Sequence, residues 1–293
     1  MTFRLLALVS LLIPGTLVSA QSERVTVRMA PAPNQTLHLR TTQDMAMTTE
    51  TSGDGSAPFS AMAVKLHNVV DVTSAVGPTD NDGHYTAKMT IDSIVATATM
   101  NGRELPLPMV AAEAAKQVIT FSYDDHGKVI DVALDESSGG APAEMLKQIM
   151  TRAFATVEPM TLSVGESVTV PTALNLPLPA GGPVAPIGIQ GETHYTLTSV
   201  TFDGADRIAH LTSHTTNTIN RGSTSPVPAG SPFALALTMT ADGKSDVNVD
   251  RGIVLHAEQQ GTIEAAVGGP TTEQKTPNVG VHGTFTIVSD FVK

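Results

Sequence analysis

The chain has no cysteine and no tryptophan, and only 3 Tyr and 8 Phe among its 293 residues. Without cysteine there is no disulfide, no thiol nucleophile and no lipid carried on a processed cysteine, so stability rests on burial and backbone pairing. Few aromatics count against an outer-membrane barrel, which needs girdles of them at both interfaces. Positive charge is also in short supply. The 17 Lys and Arg stand against 28 Asp and Glu, a formal net charge of −11 at pH 7. Such a field repels phosphate backbones and anionic membrane surfaces, so nucleic acid is not an expected partner. The acids are dispersed, which reads as a solubilising surface.

No apolar run is long enough to cross a bilayer as a helix. The one at the start, Leu5 to Ile13, is about half the required length. It sits in "MTFRLLALVSLLIPGTLVSA", after Arg4 and before a Pro-Gly break and Val18-Ser19-Ala20. That is the plan of a cleavable secretory signal. Cleavage after Ala20 is expected, leaving a periplasmic or secreted protein with no integral membrane segment.

What the chain does have is alternation. "VKLHNVVDVTSAV" places Val64, Leu66, Val70, Val72 and Val76 on one face and Lys65, His67, Asp71 and Thr73 on the other, the period of a half-buried strand. "HYTAKMTIDS" does the same after the turn "GPTDND", so the pair reads as a hairpin. From His84 to Met100 there is neither Gly nor Pro, and the apolar phase slips from Ile91 to Ile94. A bulge or bend is expected near Ser93. "GIVLHAEQQGTIEAAV" and "VGVHGTFTIVSDFV" are two further strands.

Two stretches read as helix. "PAEMLKQIMTRAFATVEP" spaces Leu146, Ile149, Met150, Ala153, Phe154 and Val157 for an amphipathic helix at about 142–157. "PMVAAEAAKQV" predicts a shorter one at about 108–118. The expected fold is therefore mainly β: long curved antiparallel sheet or sheets from two similar β modules, 21–157 and 158–293, with these two helices. The triplet "HYT" occurs at His84 and again at His194. Aligning the turns pairs "VDVTSAVGPTDNDGHYTAKMT" with "YTLTSVTFDGADRIAHLTSHT", which supports an internal duplication but separates the two triplets.

Motifs for chemistry are lacking. His210 and His214 lie four residues apart on a strand, about 13 Å, too far to share one metal. "DNDGH" at 80–84 lacks calcium ligands at the first and twelfth loop positions, Pro78 and Met89. Asp242, Asp246 and Asp250 meet the same distance objection as the histidines. Neither G-x-S-x-G nor S-x-x-K occurs, and there is no phosphate-binding glycine loop. No catalytic residue, metal site or cofactor is expected, and the chain is read as a non-enzyme.

"ITFSYDDHGKVIDV", "VEPMTLSVGESVTV" and "DVNVDRGIVLHAEQQG" together resemble an uncharacterised family of exported bacterial β-rich proteins. Val168 stands where such proteins often carry an aromatic. The resemblance implies export and a β-rich order of elements over most of 35–267, and it carries no functional residue.

The function expected is that of an exported soluble binding module, whose guest is an apolar small molecule or an envelope protein. Val70, Val72, Met89, Ile91, Leu255 and Ile263 are the candidate apolar ligand-binding face, sharing a space with the helix at 142–157. The alternatives are an outer-membrane-associated barrel or structural envelope protein, and a hydrolase whose active site follows no motif.

Overall fold

The computed structural model describes residues 24–28, 30–52, 62–105, 118–134, 159–176, 187–221, 234–268 and 278–292. They form strands β1 (Val25–Val27), β2 (Thr36–Ser52), β3 (Ala63–Val76), β4 (Tyr85–Met100), β5 (Arg103–Leu105), β6 (Val118–Tyr123) and β7 (Val129–Leu134). The second half contributes β8 (Met160–Leu162), β9 (Ser167–Leu176), β10 (Ile187–Asp203), β11 (Asp206–Arg221), β12 (Ala234–Asn248), β13 (Ile253–Gly268) and β14 (Asn278–Val292).

Turn chemistry fixes the first hairpins. Asp80 Oδ1 accepts hydrogen bonds from the backbone N–H of Asp82 and His84, at 2.9 and 2.8 Å. Asp124 Oδ1 does the same for His126 and Lys128 at 3.0 and 2.7 Å. Each turn then needs a left-handed residue, supplied by Gly83 (φ 86°) and Gly127 (φ 80°). The carboxylate of "DNDGH" is thus engaged by its own turn. In the similar-looking "ADGKS", Asp242, Gly243 and Lys244 lie inside β12 instead.

Twelve strands make one antiparallel sheet in the order β7-β6-β4-β3-β2-β14-β13-β12-β11-β10-β9, with β5 also on β4. The first and second halves of the chain join at its centre, where β2 pairs β14 from His38↔Val292 to Ser52↔Asn278. Among the described residues β7 and β9 each have one neighbour. Pro171 lies in β9, an edge position where a missing N–H is tolerated. β1 and β8 form a separate antiparallel pair.

This corrects the expected fold. Among the described residues there is no helix, and strands from both halves share one twelve-stranded sheet. Val118, the last residue of the shorter expected helix, opens β6 and pairs with Thr90 of β4. Cross-strand pairing of Val118 and Ile119 with β4 overrides the helix propensity of the alanines before them. The remainder of that segment, and all of 142–157, lie outside the described residues.

The register slips four times, leaving one residue unpaired each time: Asp92 on β4, Ile130 on β7, Thr198 on β10 and Leu255 on β13. The first is the interruption expected near Ser93. It pairs Ile91 with Val72 and Ile94 with Val70, so both apolar runs of β4 stay on one face.

The described turns β3–β4, β6–β7, β8–β9, β10–β11 and β12–β13 all lie at one end of the sheet. Both cores gather there. One joins β1 and β8 to Leu197, Ala209, Leu211, Val247 and Val249. The other joins Val76, Tyr85, Ala87, Phe121, Tyr123 and Val132 to Ala30. Val27 belongs to the first core and Ala30 to the second, and residues 30–35 continue from there to β2. A Cβ on Gly127 would lie 2.7 Å from Ala30 Cβ, and one on Gly252 would lie 1.9 Å from the Ala30 carbonyl oxygen. The β6–β7 and β12–β13 turns therefore meet on either side of residue 30. In a flat sheet these strands would stand more than about 20 Å apart. At this end the sheet rolls, and residues 30–35 strap it.

Candidate functional site

Beneath the strap is a cleft of about 230 Å³. One wall is Leu37 and Leu39 of β2 with Met89 of β4. A second is Phe121 and Tyr123 of β6 with Val129 of β7. The third is Ile253 and Val254 of β13, with Pro31 and Pro159 closing the top. Alternation brings these side chains to one surface. In β6, Ile119, Phe121 and Tyr123 are buried while Thr120 and Ser122 are less so. The glycines at the mouth, Gly127 and Gly252, let the strap lie against the turns with no side chain between.

Polar groups at the cleft are few: Ser74, the Tyr123 phenol and Arg28. Tyr123 stacks on Tyr85 with ring centroids 4.9 Å apart and planes 9° apart. Burial, with a smaller contribution from Tyr85, pushes the Tyr123 phenol up to about 12. Burial also raises Tyr85, and the positive charge of Arg28 partly opposes that rise. Both phenols are neutral donors at any ordinary pH. Among the described residues the cleft is lined by no carboxylate and no imidazole, so no general acid–base pair is assembled there.

On the opposite side of the sheet the polar residues are paired across strands. In β11, Ala209, Leu211 and Thr215 are buried, while His210 and His214 alternate with them. His210 Nδ1 lies 2.7 Å from Asp246 and His214 Nδ1 lies 2.7 Å from Asp242. A carboxylate only accepts, so each imidazole donates. Arg207 completes the row with Asp250, at 2.6 Å. Its hydrogen bonds hold the Asp250 carboxyl below the usual carboxylate range. His67–Asp44 (2.8 Å) and His256–Asp290 (2.7 Å) repeat the motif on other strand pairs. Among the described residues no group of three or more acids and histidines is placed to hold a metal ion. The two histidines and three aspartates singled out by spacing are thus partners of one another or of Arg207.

Of the six residues expected to face a guest, Met89 lines the cleft. Val70, Val72 and Ile91 are half-buried beside it, with Val72 opposite Ile91 and Met89 opposite Ser74. Leu255 is half-buried and is the residue left out of the β12–β13 register. Ile263 is half-buried further along β13, between Met239 and Gly283. The structure brings together the four on β3 and β4 and leaves the two on β13 apart. Phe121, Tyr123, Leu37, Ile253 and Arg28 were not expected. The alternation in "ITFSY" was a usable signal for the first two.

No family model and no curated protein matches the chain. A structure described as lipid–protein interactions in lipovitellin aligns with 89% of this chain and 25% of its own, at 10% identity and a TM-score of 0.46. The chain therefore spans about a quarter of that protein's length. OccK5 (OpdH) of Pseudomonas aeruginosa aligns over 90% of this chain and 100% of its own, at 7% identity and a TM-score of 0.28. The translocator domain of the autotransporter NalP of Neisseria meningitidis aligns over 88% and 89%, at 14% identity and a TM-score of 0.17. These scores fall short of a shared fold.

Proposed function

We propose that the chain is an exported, non-catalytic protein that holds a slender apolar guest in the cleft beneath the strap. The observation that carries this reading is the cleft itself, an apolar space of about 230 Å³ walled by strands from both halves of the sheet. It is smaller than the roughly 300–1,000 Å³ typical for drug-sized ligands. A single alkyl chain suits it better than a fused-ring molecule. Covering apolar walls contributes about 25 cal/mol per Å².

A lipid-embedded barrel fits the same residues less well. Arg40–Asp71, His67–Asp44 and His214–Asp242 lie within long strands on the side away from the cores. That side would have to present an apolar band to lipid.

Native mass spectrometry of protein purified without detergent tests the proposal. The expected result is an apolar adduct that Met89→Asp removes while the far-ultraviolet dichroism of the sheet persists. An adduct-free wild type, together with a Met89→Asp chain that unfolds, would mean that this surface is filled core.

A further inference from the structure

The cleft is apolar on three walls and has one cation at its mouth. Among the described residues Arg28 has no ion-pair partner, whereas Arg24, Arg40 and Arg207 face Glu166, Asp71 and Asp250. Arg103 and Arg251 likewise have no ion-pair partner there, but neither lines the cleft. What sets Arg28 apart is its place in the fold. Arg28, Gly127 and Gly252 border the apolar cleft on one side of the strap and, on the other, a polar recess of about 280 Å³. That recess also contains Thr79, Asp125, Asp250 and Arg251. Asp250 is bound to Arg207, and Asp125 lies 3.7 Å from His126. Arg251 is hydrogen-bonded through its side chain to Gln35. Arg28 thus stands, without an acidic partner, at the boundary between the apolar cleft and the polar recess.

We infer that the guest is a single-chain amphiphile with an anionic headgroup, its chain in the cleft beneath the strap and its head on Arg28. This rests on the cleft being a binding site and adds which end of the molecule is recognised. A guanidinium presents a planar fork that meets a carboxylate or a phosphate with two parallel hydrogen bonds. Both headgroups share the chemistry that the site reads. The neighbouring carboxylates of Asp125 and Asp250 confine the head to the Arg28 side of the recess.

Four probes with the same dodecyl chain, used below their micelle concentrations, test this by titration calorimetry: laurate, dodecyl phosphate, dodecanol and dodecyltrimethylammonium. The wild type is expected to bind at least one of the anions about ten-fold or more tightly than dodecanol, the lower end of what a charge-assisted hydrogen bond contributes. Which anion gains identifies the headgroup as carboxylate, phosphate or either. In Arg28→Gln the preference of the anion over dodecanol should vanish. Arg28 is exposed and unpaired among the described residues, so the variant should melt at the wild-type temperature. Equal affinity for dodecanol and the anions, tighter binding of the ammonium, or a preference that survives in Arg28→Gln would overturn the inference and leave the apolar cleft standing. Failure of all four probes to bind would overturn the cleft reading along with it.

Discussion

At the scale of the residue, two glycines with the same left-handed backbone separate conformational strain from steric closure. Gly204 has φ 62° and open space around its missing Cβ; Gly252 has φ 64°, and its Cβ would fall 1.9 Å from the Ala30 carbonyl oxygen. Gly204→Ala should therefore cost about 1 kcal/mol, the strain of a left-handed residue with a side chain. Gly252→Ala should cost about 2–4 kcal/mol, because the strap must also move away. Urea midpoints of the two variants check this, and equal shifts would mean that the strap is not held against the β12–β13 turn. Hydrogen bonds to the Arg251 carbonyl from the Ala32 N–H at 2.9 Å and from the Gln35 side chain at 3.2 Å are what the larger substitution would strain.

At the scale of the element, the bulge at Asp92 absorbs one extra residue that would otherwise turn half of β4 over. Deleting Asp92 would join Ile91 directly to Ser93 and leave Tyr85, Ala87, Met89, Ile91, Ile94, Ala96 and Ala98 in unbroken alternation on one face. The deletion variant is therefore expected to keep a cooperative unfolding transition, and loss of that transition would refute this register. The slip from Ile91 to Ile94 was visible in the sequence because period two is a local property, as were β3, β4, β13 and β14. Local pattern misled at Val118, which the alanines before it assign to a helix but which pairs with Thr90 of β4. It was silent on the β2–β14 pairing, whose residues Thr41 and Ser289 are 248 positions apart. The cleft was hidden for the same reason. Met89 could be placed on an apolar face, but its neighbours Leu37, Phe121 and Ile253 come from three other strands whose adjacency depends on how the sheet rolls.

At the scale of the molecule, the two ends of the sheet differ. The β3–β4, β6–β7, β8–β9, β10–β11 and β12–β13 turns, the four register slips, both cores and the strap gather towards one end. Towards the other, long strands carry half-buried side chains such as Leu66, Ile263, Met239 and Ile189. Opening free energies follow buried contact density. Native-state hydrogen exchange should therefore show its slowest amides around Leu197, Ala209, Leu211, Val132 and Val247, all fully or nearly fully buried. Amides of the same strands at the opposite end, such as those of Leu237 and Ile219, should exchange faster. Uniform protection along β11 and β12 would contradict this division.

The pairing of β2 with β14 also orders events in time. Every other neighbour in the sheet can be recruited from strands close by in the chain, hairpin after hairpin, as synthesis proceeds. β2 is among the first made, yet its second edge stays bare until β14 emerges. That closure spans most of the polypeptide, and contacts of such long range are slow to form. For that interval the nascent protein exposes an unsatisfied strand edge, the kind of surface that templates aggregation, and a holding chaperone would find it there.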